Sequence, residues 1–479
     1  METTNWIGGE WVKPGGQQRD VMNPSNLSEK VGTIHFSDET DMLEAEAAAK
    51  RAYQKWSKMP GAKRGEVLYE MAAVLEKNMT GIAKLASSEM GKPITEMKGE
   101  VLRGVQLLRY YASEGVRSQG NLVPSSDVNV LQYTKRVPLG VVGIITPWNF
   151  PVAIPIWKMA PALITGNTIL WKPAEPASLT AVRLGELFAE TDLPEGVVNI
   201  VIGKGREVGN ALLEKTEINA VSFTGSTSTG QRVASICAAR NIKYQTEMGG
   251  KNAAIVLKDA DFQKAASMVV SGAFRSAGQK CTATSRIIVE KEAYDPFVEA
   301  LKAEMETIKV NHALDENAYM GPVASKSQFD SVSEYFSVAK QEAELVIEKE
   351  IEQGNDNGYF VNPMIVTGVT PDHKLVQEEV FGPLAVILTA DDFEDAISLA
   401  NQTVFGLSAS IFTQDLSKAH RFLDEADAGM VRVNQETAGV EYQAPFGGMK
   451  MSSSHTREQG QAALDFYTTI KTCSIKHTF

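Results

Sequence analysis

Residues 276–286 read SAGQKCTATSR and set Cys281 among small and polar neighbours. A cysteine kept for packing sits among apolar residues, whereas an attacking thiol needs space, reach to solvent and groups that favour the thiolate. The run fits the second description, and a nucleophile needs partners. In ITPWNFP, Asn149 lies inside an apolar, proline-rich stretch, where an amide must find hydrogen-bond partners. Its side-chain NH2 suits an oxyanion donor, aimed at the oxygen that becomes charged when a thiolate attacks a carbonyl. Closing a turn between two prolines is the structural alternative. In YQTEMGGKN, Glu247 precedes the pair Gly249–Gly250, which lets the backbone approach a neighbour closely. A confined carboxylate there would have a raised pKa and could act as a general base; a surface glutamate before a turn has the same local look. The six histidines lie outside these glycine-rich motifs, so nothing favours a Cys/His hydrolase.

Two glycine-rich turns are candidates for holding a phosphate. VIGKGREVG supplies Gly203, Gly205 and Gly209, one residue longer than the standard dinucleotide fingerprint. SFTGSTSTG places Gly225, Ser226 and Gly230 between a strand and a helix. Backbone N–H groups there can hold a phosphate, though an ordinary capped helix start looks much the same. LWKPAE puts Lys172 and Glu175 just past a strand end, where parallel sheets bind ligands. The pair could hold a ribose or simply form an ion pair in solvent.

The elements that must position these residues read as α/β. From about Glu39 to Ser118, apolar residues recur at three- and four-residue spacing, which predicts helices. From Val137, short apolar runs such as LGVVGIIT, NTILWKP, VVNIVIG and INAVSFTG alternate with helical stretches, and a second alternating region begins near Asn252. Both read as α/β domains with mostly parallel sheets. VNVLQYTKRVPLG and DFYTTIKTCSIKHTF are strand-like with no helix to pack on. They are expected to pair with each other as a protruding ribbon or subunit contact. Val141–Gly166 is long and apolar enough to test as a membrane span. Pro147, Pro151, Pro155 and Pro161, with Lys158 among them, make it a buried strand followed by a proline-broken helix.

The 479 residues exceed one ordinary core and suggest roughly three domain-sized units. A net charge of −12 disfavours nucleic acid and anionic membrane surfaces as partners, leaving a small molecule. The start METTNWIGGEW lacks the basic and apolar regions of a signal peptide. Cys237, Cys281 and Cys473 are too scattered for a CxxC pair or a metal cluster and suit a reducing compartment, so the cytoplasm is expected and no metal.

Taken in order, TPWNFP, KPAE, FTGSTSTG, EMGGKN, GQKC, EEVFGP and PFGG resemble the NAD(P)-dependent aldehyde dehydrogenase superfamily, over a match from NWIGGEW to FYTTIKT. The resemblance implies two Rossmann-related α/β domains plus a β-ribbon: residues 1–119 and 140–249 for NAD or NADP, 250–457 for catalysis, and 120–139 with 458–479 for oligomerisation as a homodimer or homotetramer. It implies Cys281 as the nucleophile that forms a thiohemiacetal and then a thioester. Asn149 with the Cys281 backbone N–H would be the oxyanion hole, and Glu247 the base that activates water. Lys172, also counted among the catalytic residues, and Glu175 resemble adenosine-ribose contacts, Gly225 and Ser226 the pyrophosphate turn, and Glu379 and Phe381 nicotinamide-ribose contacts. Ile145, Trp148, Phe223, Gly205 and Gly209 complete the implied cofactor site.

Glu247 argues against the coenzyme A-acylating branch, which by resemblance lacks this base. Trp157 stands where succinate-semialdehyde enzymes resemble one another in having arginine. GQKCTATSR with TAGVEYQAPFGGMK looks most like the branch acting on 2-oxoglutarate semialdehyde (2,5-dioxopentanoate). A general aliphatic or other semialdehyde dehydrogenase, a cofactor-independent thiol esterase, and a non-enzymatic binding protein are the alternatives. Arg275 and Arg286 flank the cysteine segment and could bind an acidic substrate or form structural ion pairs. Met449 and Ser454 depart from the commoner form of the GGMKMSSSHTREQG segment, which weakens transfer of substrate contacts there. Glu175 would bond the 2′-hydroxyl of NAD and repel the 2′-phosphate of NADP, with Lys172 acting the other way, for a slight lean to NAD.

Overall fold

The apolar runs after Val137 become strands with the order that a dinucleotide-type fold requires. The computed structural model describes residues 1–117, 120–351 and 357–477. In the first sheet, Val141–Thr146 is flanked by Thr168–Pro173 and then Val198–Ile200 on one side, and by Ala220–Thr224 and then Lys243–Glu247 on the other, all parallel. The chain therefore reverses direction across the sheet at Val141–Thr146. A crevice opens at such a switch point, outside the carboxyl ends of the strands. An N-terminal hairpin, Asn5–Ile7 with Glu10–Val12, extends the far edge through Trp6 opposite Ile200.

The second sheet holds Asn252–Val256, Thr284–Glu290, Met364–Thr367, Leu384–Ala390, Ser408–Phe412 and Met430–Val433 in parallel, with Glu344–Glu348 antiparallel at one edge. Buried apolar clusters cover both of its faces, as a parallel sheet needs. The two orphan β segments pair with each other, Val130–Pro138 running antiparallel to Thr468–Lys476 from Thr468 opposite Pro138 to Lys476 opposite Val130. The ribbon is shorter than expected at its C-terminal arm, because Gly460–Phe466 is helical and buries Ala463 and Phe466 in the core.

Two helices wall one side of the site. Ile94–Glu114 starts behind Pro93 and buries Ile94, Met97, Val101, Val105, Leu108 and Ala112, a three- and four-residue stripe. Ala153–Ile164 is buried along its whole length with Pro161 inside, so the apolar stretch is a strand and a core helix as expected. Among the described residues, no helix is long and apolar enough to cross a membrane.

Candidate active site

Cys281 sits at the end of a loop that its neighbours hold rigidly. The preceding Ser276 and Ala277 have left-handed φ values of 56° and 54°, a strained conformation that persists only when the surroundings impose it. The restraints are visible. Glu96 accepts from the Ser276 backbone N–H at 2.9 Å and from its hydroxyl at 2.8 Å, and Gln279 Oε1 accepts from the Ala324 N–H at 3.0 Å. Asn252 Nδ2 donates to the Cys281 carbonyl at 2.8 Å. Gly250 permits this approach, since a Cβ there would lie 2.5 Å from that carbonyl oxygen.

The thiol stands on the wall of two cavities at once. One, of about 350 Å³, is lined by Lys92, Arg103, Gln106, Trp157, Phe446 and Gln459 among others. The second, of about 290 Å³, is lined by Trp148, Asn149, Gly225, Ser226, Glu379 and Phe381 among others. Only Ile154 and Cys281 belong to both linings. Burial, with the nearby Glu379 and Glu247 carboxylates, holds the thiol well above the ordinary cysteine range.

Asn149 is buried and donates through Nδ2 to the Gln279 carbonyl at 3.0 Å, which leaves its second N–H unused by that bond and turns the amide toward the cysteine loop. Its own carbonyl accepts from Lys92 Nζ at 2.5 Å, and Lys92 is paired with Glu100 at 2.6 Å. Glu100 in turn accepts from the N–H groups of Val152 and Ala153 at 2.8 and 3.0 Å, anchoring the first turn of the Ala153–Ile164 helix. Glu247 ends the strand Lys243–Glu247 and does not line either cavity. Its Oε2 accepts from Ser453 Oγ at 2.6 Å, while Oε1 is buried without a partner. Burial and the neighbouring Glu458 raise its pKa well above the carboxylate range, against Ser453, Lys158 and Arg457.

The second cavity has the features of a dinucleotide site at the switch point. Gly225 and Ser226 follow the strand Ala220–Thr224, with Ser226 extended ahead of the helix Thr227–Ala239. A Cβ at Gly225 would meet the Phe223 ring at 2.6 Å, so Phe223 is a buried floor beneath the turn. Gly205 and Gly209 have no heavy atom within 4 Å of where a Cβ would stand, leaving open space above that loop. They lie beyond Val198–Ile200, outside the cavity that holds Gly225. Ile145 is half-buried in Val141–Thr146. Lys172 is buried at the end of its strand, where desolvation lowers its ammonium pKa to about 8 against the pull of Glu175. Glu175 pairs with Arg19 at 3.1 Å. Glu379, raised by burial to about 7, accepts from the Gly250 N–H at 3.0 Å. Phe381 has a strained φ of 53° and meets Trp148 edge-on. These residues fit a nicotinamide dinucleotide.

The aldehyde dehydrogenase family model matches residues 11–473. The chain belongs to the aldehyde dehydrogenase family. It is 50% identical over 98% of its length, and 98% of the relative's, to the alpha-ketoglutaric semialdehyde dehydrogenase of Bacillus subtilis strain 168. It is 39% identical over 98% of its length, and 99% of the relative's, to a 2,5-dioxopentanoate dehydrogenase of Saccharolobus solfataricus. Betaine aldehyde dehydrogenase of Staphylococcus aureus, solved with NAD+, superposes with a TM-score of 0.95 at 32% identity, covering 98% of this chain and 94% of that one. The protein is an NAD(P)-dependent aldehyde dehydrogenase, an α/β enzyme that oxidises an aldehyde to an acid.

Several residues of this aldehyde dehydrogenase's site escaped the sequence reading. Lys158 and Glu458 form an almost fully buried ion pair, and Trp157 Nε1 donates to Glu458 at 2.6 Å. Glu458, the first residue of the segment assigned to the ribbon, is thus bonded to the Ala153–Ile164 helix. Arg103, Gln106 and Gln459 line the substrate-side cavity without any local motif. Of the two readings left open for Arg275 and Arg286, the structure favours the structural one, though through backbone carbonyls and a ring and not through ion pairs. Arg286 is buried and donates to the carbonyls of Lys251, Leu399 and Ala400, while Arg275 stacks over Tyr319. Neither lines the two cavities around Cys281.

Proposed function

We propose that this enzyme oxidises 2-oxoglutarate semialdehyde to 2-oxoglutarate, with Cys281 as nucleophile. The observation that carries the mechanism is the position of Cys281 on the wall common to both cavities. The substrate reading rests on the names of the relatives and on the GQKCTATSR and TAGVEYQAPFGGMK segments. Cys281 gives its thiol proton to solvent water, the thiolate attacks the aldehyde carbon, and the Asn149 NH2 and the Cys281 N–H donate to the oxygen on which the charge develops. When bound, the oxidised nicotinamide supplies the acceptor for the hydride that leaves this carbon, and a thioester on Cys281 remains. Glu247, after leaving Ser453, takes a proton from water, whose oxygen attacks the thioester and releases the carboxylate and the thiol. Lys172, Glu175, the Gly225–Ser226 turn and Glu379 bind the cofactor.

In this reading the segments 1–119 and 140–249 carry the cofactor and 250–457 the nucleophile. The strands 130–138 and 468–476 join subunits in a dimer or tetramer. The cysteines, unpaired among the described residues, fit the cytoplasm.

The test follows cofactor reduction with NAD and then NADP, across propanal, benzaldehyde, succinate semialdehyde and 2-oxoglutarate semialdehyde, with Cys281→Ala as control. The highest kcat/KM is expected on 2-oxoglutarate semialdehyde, abolished in the variant. Equal or better turnover of simple aldehydes would discard the substrate, and full activity of Cys281→Ala would discard the mechanism.

A further inference from the structure

The helix Ile94–Glu114 turns Glu96, Gly99, Arg103 and Gln106 toward the substrate-side cavity, at the three- and four-residue spacing of one helical face. The charges on this wall are mostly spoken for. Lys92 is matched by Glu100, and Glu96 spends both carboxylate oxygens on Ser276, with the Lys280 charge nearby. Arg103 differs. It is half-buried, its guanidinium has no carboxylate within 4 Å among the described residues, and Glu441 acts on it only at longer range. Both of its protein hydrogen bonds, to the Val440 carbonyl and to Gln459 Oε1 at 3.1 Å, come from Nη2, so neither uses Nη1 or Nε. A partly desolvated cation without a counter-ion, on a cavity wall, calls for an anionic ligand.

Gln459 points the same way through independent observations. It is fully buried and lines the same cavity, and its Nε2 has no partner. The Arg103 bond to Oε1 fixes the amide's orientation, so the unpartnered group is a donor. Its backbone is held at φ 58° and ψ 174°, a region a non-glycine residue occupies only under constraint and one that collects at ligand sites. A strained residue with an unused donor beside an uncompensated cation describes a site awaiting acceptors.

We propose that Arg103 and Gln459 read the 2-oxo acid end of the substrate, the guanidinium taking the carboxylate and the Gln459 amide the 2-oxo oxygen, while Cys281 in the same cavity takes the aldehyde. The proposal rests on 2-oxoglutarate semialdehyde being the substrate and names the residues that would select it. The guanidinium and the Gln459 NH2 only donate and the 2-oxo acid end only accepts, so a substrate without that end leaves these donors unpaired. Such a mismatch discriminates strongly between substrates.

The test compares kcat and KM for 2-oxoglutarate semialdehyde, glutarate semialdehyde and pentanal, in wild type and in Gln459→Met, Gln459→Glu and Arg103→Met. Gln459→Met is expected to lower kcat/KM for the 2-oxo acid by about 10- to 100-fold, chiefly through KM, and to leave pentanal within about threefold. Glutarate semialdehyde, which lacks the 2-oxo oxygen, should suffer less from this variant. Arg103→Met should impair both acids alike. Because Arg103 also ties down Val440, Gln459→Glu serves as the shape-preserving variant, and its carboxylate should weaken both acids further. Parallel losses on all three aldehydes would overturn the assignment in favour of a structural role. A wild type with no preference for the acids over pentanal would overturn the substrate reading itself, whereas a wild-type preference that the variants retain would overturn the assignment alone.

Discussion

At Cys281 two requirements pull against each other: the sulfur must be a thiolate to attack, yet its surroundings favour the thiol. Burial opposes the charge, and Glu379 and Glu247 add to it. The thiolate fraction of the cofactor-free protein should therefore keep rising with pH instead of levelling off near neutrality. Alkylation by iodoacetamide, taken as the difference between wild type and Cys281→Ala, is expected to accelerate roughly tenfold per pH unit between about 7 and 9. A plateau by neutral pH would mean that the thiol is already ionised. Asn149 is tested by substitution with alanine, which should lower kcat by about 100- to 1,000-fold through loss of the oxyanion donor; the Gln279 carbonyl loses its donor too, so the thermal midpoint is read alongside. Cys281, Asn149 and Glu247 could be picked out as candidates because polar or reactive groups stood out against small or apolar neighbours. Arg103 and Gln459 were not, because 356 positions separate them and only the packing of the Ile94–Glu114 helix against the 440–460 segment brings them together.

Among the elements, the buried Lys158–Glu458 pair joins the Ala153–Ile164 helix to the C-terminal segment. Lys158→Met leaves Glu458 without its counter-charge in the interior and should cost about 3–5 kcal/mol, read as a lower thermal midpoint. An unchanged midpoint would show that Trp157 Nε1 and Ser222 Oγ, which donates to Glu458 at 3.2 Å, satisfy the carboxylate on their own. At the end of Thr168–Pro173, Lys172 has a pKa lowered by burial to about 8. Lysine carries its charge below its pKa and loses it above, so attraction for a 2′-phosphate is present at pH 7 and fades at pH 9. Calorimetric NADP affinity should fall across that interval by more than NAD affinity does; equal changes would remove Lys172 from the 2′ position. Strand alternation was readable here because buried parallel strands form continuous apolar runs. The helix Gly460–Phe466 was missed, since seven residues next to a strand-rich tail carry too short a periodicity to separate the two.

On the scale of the whole molecule, the paired strands Val130–Pro138 and Thr468–Lys476 leave Leu131, Ile470 and Ile475 between 45% and 61% exposed. These strands form a small three-stranded sheet with Leu122–Val123, and apolar side chains exposed on such a ribbon mark a surface that another subunit would cover. Ile470→Asp is expected to shift the protein to a smaller species in light scattering, and an unchanged mass would move the subunit contact elsewhere. The two α/β regions and the ribbon were foreseen as texture, while the way their segments interleave was not. Residues 446–458 return to the first sheet, where Ser453 bridges to Glu247, a contact between positions 206 residues apart that no local pattern announces.

The sharing of Cys281 between two linings also bears on traffic through the enzyme. On the proposed mechanism each reactant would have its own berth, the two meeting at Cys281 and Ile154. On the proposed assignment a spent cofactor would be exchanged while the acyl group is still attached, and the acid would depart without the dinucleotide making way for it. The order of departure is then set by the strength of each grip and not by one molecule queueing behind the other.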